Sequence, residues 1–177
     1  MQELVDVHVR LATTNEMAVC MAFERKDEFG RHTPLDEPLL AASISSGAVL
    51  LAQQGSVFVG CASLNFLYAS RIPLLSWWYV DPTYQGKGIG SLLLQAIHDH
   101  PAALDFDRML ISACRPLEIS RHRAAHLEEI GSLRLGPNEI EHFFVKPIFR
   151  RGSNLALHSD FRASHEPHRT EVVYLSE

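Results

Sequence analysis

The stretch that most limits how this chain can fold is Leu74 to His98, LLSWWYVDPTYQGKGIGSLLLQAIH. Leu74 to Val80 is an apolar and aromatic run with the length and composition of a strand. Ile89, Leu93, Ala96 and Ile97 fall at i, i+4, i+7 and i+8, one apolar face of a helix. A strand must therefore turn into a helix across Gln85-Gly86-Lys87-Gly88-Ile89-Gly90. Glycines at 86, 88 and 90 leave the backbone amides uncovered by side chains and allow dihedral angles that other residues resist. Amides exposed in the first turn of a helix attract phosphate, because they lack intrahelical partners and the helix dipole is positive at that end. Asp81-Pro82 closes the strand, since proline cannot donate to a ladder, and Lys87 adds a cation beside the same amides. An ordinary strand-turn-helix explains one glycine here, not three.

Spacing separates the phosphate-binding readings of such a turn. A P-loop needs Lys followed by Ser or Thr after the second glycine, whereas Lys87 precedes Gly88 and Gly90. A dinucleotide fingerprint needs glycine at 91, where the chain has Ser91, and should open the first βαβ unit of its fold. The segment V-D-P-x-Y-Q-G-K-G-I-G instead resembles the acyl-CoA pyrophosphate loop of the GNAT superfamily of N-acyltransferases, whose pattern is Gln/Arg-x-x-Gly-x-Gly/Ala. Gln85, Gly88 and Gly90 fill its fixed positions, and the match extends into the V-D-P before and the apolar helix after.

The 177 residues correspond to one domain, and 46% hydrophobic content is enough for one sizeable core. No apolar run reaches the roughly 18 residues of a membrane span, and the N-terminus lacks a signal-peptide pattern, so a cytoplasmic protein with no membrane partner is expected. Cys20, Cys61 and Cys114 lie far apart without metal-ligand spacing, which indicates reduced thiols and no metal site. A net charge of −5 without a large basic cluster argues against nucleic acid and mildly favours cationic or neutral substrates.

In chain order, Leu4 to Leu11 alternates as a half-buried strand, and Thr13 or Thr14 can cap a helix from about Asn15 to Phe29. A polar connection through Pro34 and Pro38 precedes a short helix from Leu39 to Ser46. Ala48–Ala52 and Val57–Leu64 flank Gln53-Gln54-Gly55-Ser56, the pattern of a β-hairpin. Pro101 stops the helix that follows the glycine turn, and Arg108–Cys114 is a buried strand. Arg121–Ile130 is expected to be helical with Gly131 as its C′ residue, and His142–Val145 is the last clear strand. The order β-α-α-β-β-β-α-β-α-β is that of the GNAT fold. The resemblance thus implies an α/β (α+β) architecture with a mixed, mostly antiparallel sheet of six to seven strands over residues 1–149. Residues 150–177 read as a mobile tail, in which Val172–Leu175 could add an edge strand to this subunit or to a second one, leaving a homodimer open.

The resemblance also implies a chemistry. Acetyl-CoA would be the co-substrate, with its pyrophosphate on amides from Gly86 to Ser91 and its pantetheine arm paired with the backbone around Trp78, Tyr79 and Val80. Gln85, Gly86, Lys87, Gly88, Ile89, Gly90 and Ser91 are then the cofactor loop. The acceptor would be a primary amine of a small molecule or peptide. Many family members carry a glutamate base on the fourth strand and a tyrosine acid near a helix end. The matching places here hold Leu74 and Leu127. Candidate replacements are Ser76, Ser112, Cys114, Glu118 in the loop behind the fifth strand, and His126, each of which also has a plain structural reading. Glu24 and Glu28 either belong to a solvated helix face with i,i+4 pairs or border the amine. Two functions remain: an acyl-CoA-dependent N-acyltransferase using water to carry the proton, and an acyl-CoA-binding regulatory or interaction protein that has lost the proton carriers.

Overall fold

The computed structural model describes residues 7–26, 36–67, 72–137 and 139–148. Its core is a seven-stranded sheet in the order β1-β2-β3-β4-β5-β7-β6. The strands are β1 Val7–Leu11, β2 Val49–Gln54, β3 Val57–Leu67, β4 Ile72–Val80, β5 Arg108–Ala113, β6 Glu128–Gly136 and β7 Glu139–Pro147. Four α-helices accompany them: α1 Met17–Lys26, α2 Asp36–Ser45, α3 Ile89–His98 and α4 Pro116–Ala124. Every strand pair is antiparallel except β4 with β5, which the chain joins through α3. The result is an α/β protein with a mixed, mostly antiparallel sheet, as the sequence led us to expect.

The local signals explain where the elements begin. Glu16 returns a carboxylate oxygen to the Thr13 amide at 2.8 Å, one half of a capping box, and α1 follows. Gly55, with φ of 58°, turns β2 into β3. Leu93 and Ile97 on α3 are fully buried against Leu50, Val59, Leu64 and Leu75 of the sheet. Truncating either leucine-sized side chain to alanine removes about 2–5 kcal/mol. The opposite face of the sheet packs Val49, Leu51, Cys61 and Tyr79 against Cys20 and Phe23 of α1 and Ile44 of α2. Among the described residues no helix is long and apolar enough to cross a membrane.

Three boundaries differ from the sequence reading. The helix before the hairpin starts at Asp36, so Pro38 sits in its first turn, where a missing amide costs no intrahelical bond. The helix expected over Arg121–Ile130 is instead α4, Pro116–Ala124, which places Glu118 in a helical first turn rather than a loop. Leu127 follows that helix, and Gly131 lies within β6. The physical reason is the helix end. The Leu127 amide bonds to the His122 carbonyl at 3.1 Å and the His126 amide to the Arg123 carbonyl at 3.0 Å, with His126 left-handed at φ 55°. This is a Schellman turn with histidine at C′, so the glycine signal at 131 pointed to the wrong residue. The chain released at 127 becomes β6, an edge strand exposed along almost its whole length. The tail from 150 to 177, with Val172–Leu175, and the end of the first expected helix with Glu28 lie outside the described residues; Glu24 is in α1.

Candidate active site

The glycine turn folds back onto the end of β4. Asp81 accepts from the Thr83 amide at 3.1 Å and from its hydroxyl at 2.7 Å, starting a short 3-10 turn at Pro82. Gln85 Nε2 then donates to the Val80 carbonyl at 3.0 Å, tying the loop to the strand it leaves. Gly86 and Gly88 have φ of 75° and 81°, and a Cβ at either would meet no atom within 4 Å. The space beside both residues is therefore open. Gly88 is the N-cap of α3, whose first-turn amides face that space without a capping side chain. Gly90 lies against the Trp78 indole, whose Nε1 donates to the Gly90 carbonyl at 3.0 Å. The Lys87 ammonium stands 4.9 Å from the centre of the Tyr84 ring.

The parallel ladder between β4 and β5 consists of Leu74 with Leu110 and Leu75 with Ile111. Beyond that rung β4 runs on to Val80 while β5 runs on to Ala113, and no further rung joins them among the described residues. Two parallel strands that stop pairing leave a cleft, here a cavity of about 620 Å³. One wall comes from Ser76, Trp78 and Val80 with the glycine turn and the start of α3. The other comes from Ser112 to Arg115 of β5 and its exit, Glu118, Arg121, His122 and Ala125 of α4 and its cap, and Glu141 and Lys146 of β7. The volume suits a small-molecule ligand.

Of the residues singled out in the sequence, Ser76, Trp78, Val80, Gln85, Gly86, Gly88, Ile89, Gly90, Ser112, Cys114, Glu118 and Leu127 line this cavity. Ser76 is engaged on the β3 side, where the Asn65 amide donates to its hydroxyl and also to Ser63 Oγ at 3.2 Å. Glu118 pairs with Arg115 at 3.6 Å. Tyr79 turns its buried ring towards α1, 5.5 Å from the Phe23 ring, so only its backbone is directed to the β4 edge. Lys87 and Ser91 lie at the turn outside the cavity wall, and His126 borders a separate hollow with Arg108 and Glu128.

The cavity also gathers charged or titratable residues that the sequence did not single out for it, among them Arg115, Arg121, His122, Glu141 and Lys146. His122 packs its ring on the fully buried Phe144 at 5.1 Å, and burial together with the neighbouring Lys146 charge pushes its pKa down. Burial also lowers Lys146. A helical period would have placed Glu118, Arg121, His122 and Ala125 on one face, at i, i+3, i+4 and i+7, had the helix boundaries been known. Among the described residues no group of three His, Cys, Asp or Glu side chains could hold a metal ion.

The glycine turn thus opens onto a cleft between two parallel strands that stop pairing, in a mostly antiparallel sheet. A family model for the acetyltransferase (GNAT) family matches residues 15–127, and the chain belongs to that family. No curated protein sequence matches significantly. Solved structures share the fold at low identity. A GNAT acetyltransferase from Bacillus cereus aligns at 18% identity with a TM-score of 0.64, covering 82% of this chain and 99% of its own. A polyamine N-acetyltransferase of Drosophila melanogaster, which forms N-acetylagmatine, aligns at 12% and 0.65, covering 80% and 100%. The Escherichia coli ribosomal-protein-S18-alanine N-acetyltransferase aligns at 17% and 0.63, covering 85% and 99%.

Proposed function

We propose that this protein transfers an acetyl group from acetyl-CoA to a primary amine of a small molecule or peptide. The observation that carries the reading is the end of the β4–β5 ladder at Leu75–Ile111 in the same cavity onto which Gly86, Gly88 and Gly90 open. These residues fit such a donor. The first turn of α3 offers amides for a pyrophosphate in space that any side chain at 86 or 88 would enter. The edge of β4 from Ser76 to Val80 offers backbone for an extended arm, as a β-strand edge does for a peptide. An amide of that edge would polarise the thioester carbonyl. Bound there, the donor supplies an acyl group activated by a thiol leaving group. Holding an amine against it removes most of the entropic cost of a bimolecular encounter.

The test is thiol release from acetyl-CoA over a panel of polyamines, arylalkylamines and peptides with free N-termini, run beside a melting curve with and without the donor. The expected result is a donor-dependent rise in Tm and release with at least one amine class. An unchanged Tm at millimolar acetyl-CoA would remove the donor. A rise in Tm without thiol release from any amine would favour the donor-binding regulatory protein.

A further inference from the structure

Amine attack on a thioester in this cleft would release a proton that a side chain could take and return, and Ser76, Glu118 and His126 are each engaged or placed elsewhere. Ser76 is bonded to Asn65, Glu118 is paired with Arg115, and His126 is outside the cavity. His122 is in the cavity wall. Its helix α4 presents Glu118, Arg121, His122 and Ala125 to the cleft, while Ile119 turns into the core. The imidazole rests on Phe144, a side chain with no solvent exposure, at 5.1 Å and an interplanar angle of 57°. Phe144 is the ladder partner of Ile111 on β5, and Ile111 is the residue of the last β4–β5 rung. The ring is thus fixed beside the point where the two strands part. A fixed ring keeps its lone pair aimed without reordering at each turnover.

We propose that His122 is a proton shuttle of this cleft, taking the proton from the attacking amine and delivering it to the departing thiol. This rests on the acetyl-transfer reading above. In balanced form, the amine lone pair forms the bond from nitrogen to the acyl carbon, and the pair of the carbon–sulfur bond leaves with sulfur. One proton passes from nitrogen to the imidazole and from the imidazolium to sulfur, so His122 ends as it began. A substrate arriving as an ammonium loses its first proton to water. The cavity that His122 lines also holds Lys146 and Glu141 from β7, Cys114 from the end of β5, Arg115, Glu118 and Arg121 along α4, and Tyr84, while α3 contributes Ile89 and Gly90, and of the charged groups Lys146 acts on the imidazole. Burial and the Lys146 charge lower the pKa of the imidazole, which favours the neutral form, the one that accepts a proton. A single residue serving as base and then as acid removes the need for two separate carriers.

The experiment uses the full chain and two variants, His122→Gln, and His122→Phe, which keeps a ring on Phe144. With the amine found in the panel, both variants should lose about 10²–10⁴ in kcat and the low-pH limb of the rate profile. Acetyl-CoA affinity should stay within threefold in both. A second readout needs no acceptor. The thiol of bound CoA, monitored by thiolate absorbance, should ionise at lower pH in the native protein than in His122→Gln, because the neutral imidazole can take the thiol's proton and pair with the thiolate. Loss of CoA binding by the native protein would overturn the donor reading and the shuttle with it. Retained binding with equal thiol titration, or with kcat within threefold of native in both variants, would overturn the shuttle alone.

Discussion

Trp78 Nε1 donates to the carbonyl oxygen of Gly90 at 3.0 Å, joining β4 to the first turn of α3 across the glycine loop. The indole also lies 3.5 Å from where a Cβ at 90 would stand, so strand, loop and helix are held as one body around the proposed phosphate cradle. Trp78→Phe keeps a ring in that place and removes the donor. The expected cost is about 1 kcal/mol of stability, a loss of roughly 2–4 °C in Tm, with a several-fold loss of acetyl-CoA affinity. An unchanged calorimetric affinity would show that this staple does not shape the cradle.

Gly88→Val should weaken acetyl-CoA binding at least tenfold, whereas Glu118→Ala should change it less than threefold. At φ of 81° a valine adopts a backbone that costs about 1–2 kcal/mol, and its side chain enters open space that the phosphates require. Calorimetric titration of both variants decides the matter. Equal losses would mean that the loop does not cradle the phosphates.

At the other edge of the sheet, Glu16 is held down to a pKa of about 2, first by its hydrogen bonds from Arg10 and then by the Thr13 amide and hydroxyl. The group is more acidic folded than unfolded, so its contribution is fully present above the unfolded value near 4.5 and is lost as pH falls from there towards 2. Glu16→Gln should therefore lower stability at pH 7, by about 1 kcal/mol or less because Arg10 is well exposed, and should make little difference at pH 2. Urea melts of both proteins across that range check the sign. A constant difference at all pH values would contradict it.

His126→Gly should stabilise the protein by about 1 kcal/mol. The position is exposed and left-handed, and its side chain borders only the minor hollow beside Arg108. A urea midpoint that rises with an unchanged slope is the expected result. A fall in stability would mean that the imidazole makes contacts outweighing the backbone strain. Acetyl transfer should be unaffected, which separates His126 from His122.

Sequence alone determined the features whose causes are local. Glycines at 86, 88 and 90 between an apolar strand and an amphipathic helix required a strand-to-helix turn with uncovered amides, Gly55 a hairpin, and the Thr13–Glu16 segment a helix start. Each depends on neighbours a few residues away. The cleft depends on more distant ones: Leu75 meets Ile111, and past that rung the two strands keep different partners, β3 for β4 and β7 for β5. No periodicity in either strand carries that divergence. β6 was hidden for a related reason. Glu128–Gly136 buries neither face, so no alternation marked it, and it is a strand only because β7 supplies a ladder. His122 entered the site by the same route. Its place in the wall of the cleft depends on where α4 starts and ends, and that was decided by a left-handed histidine closing the helix before the glycine at 131 was reached.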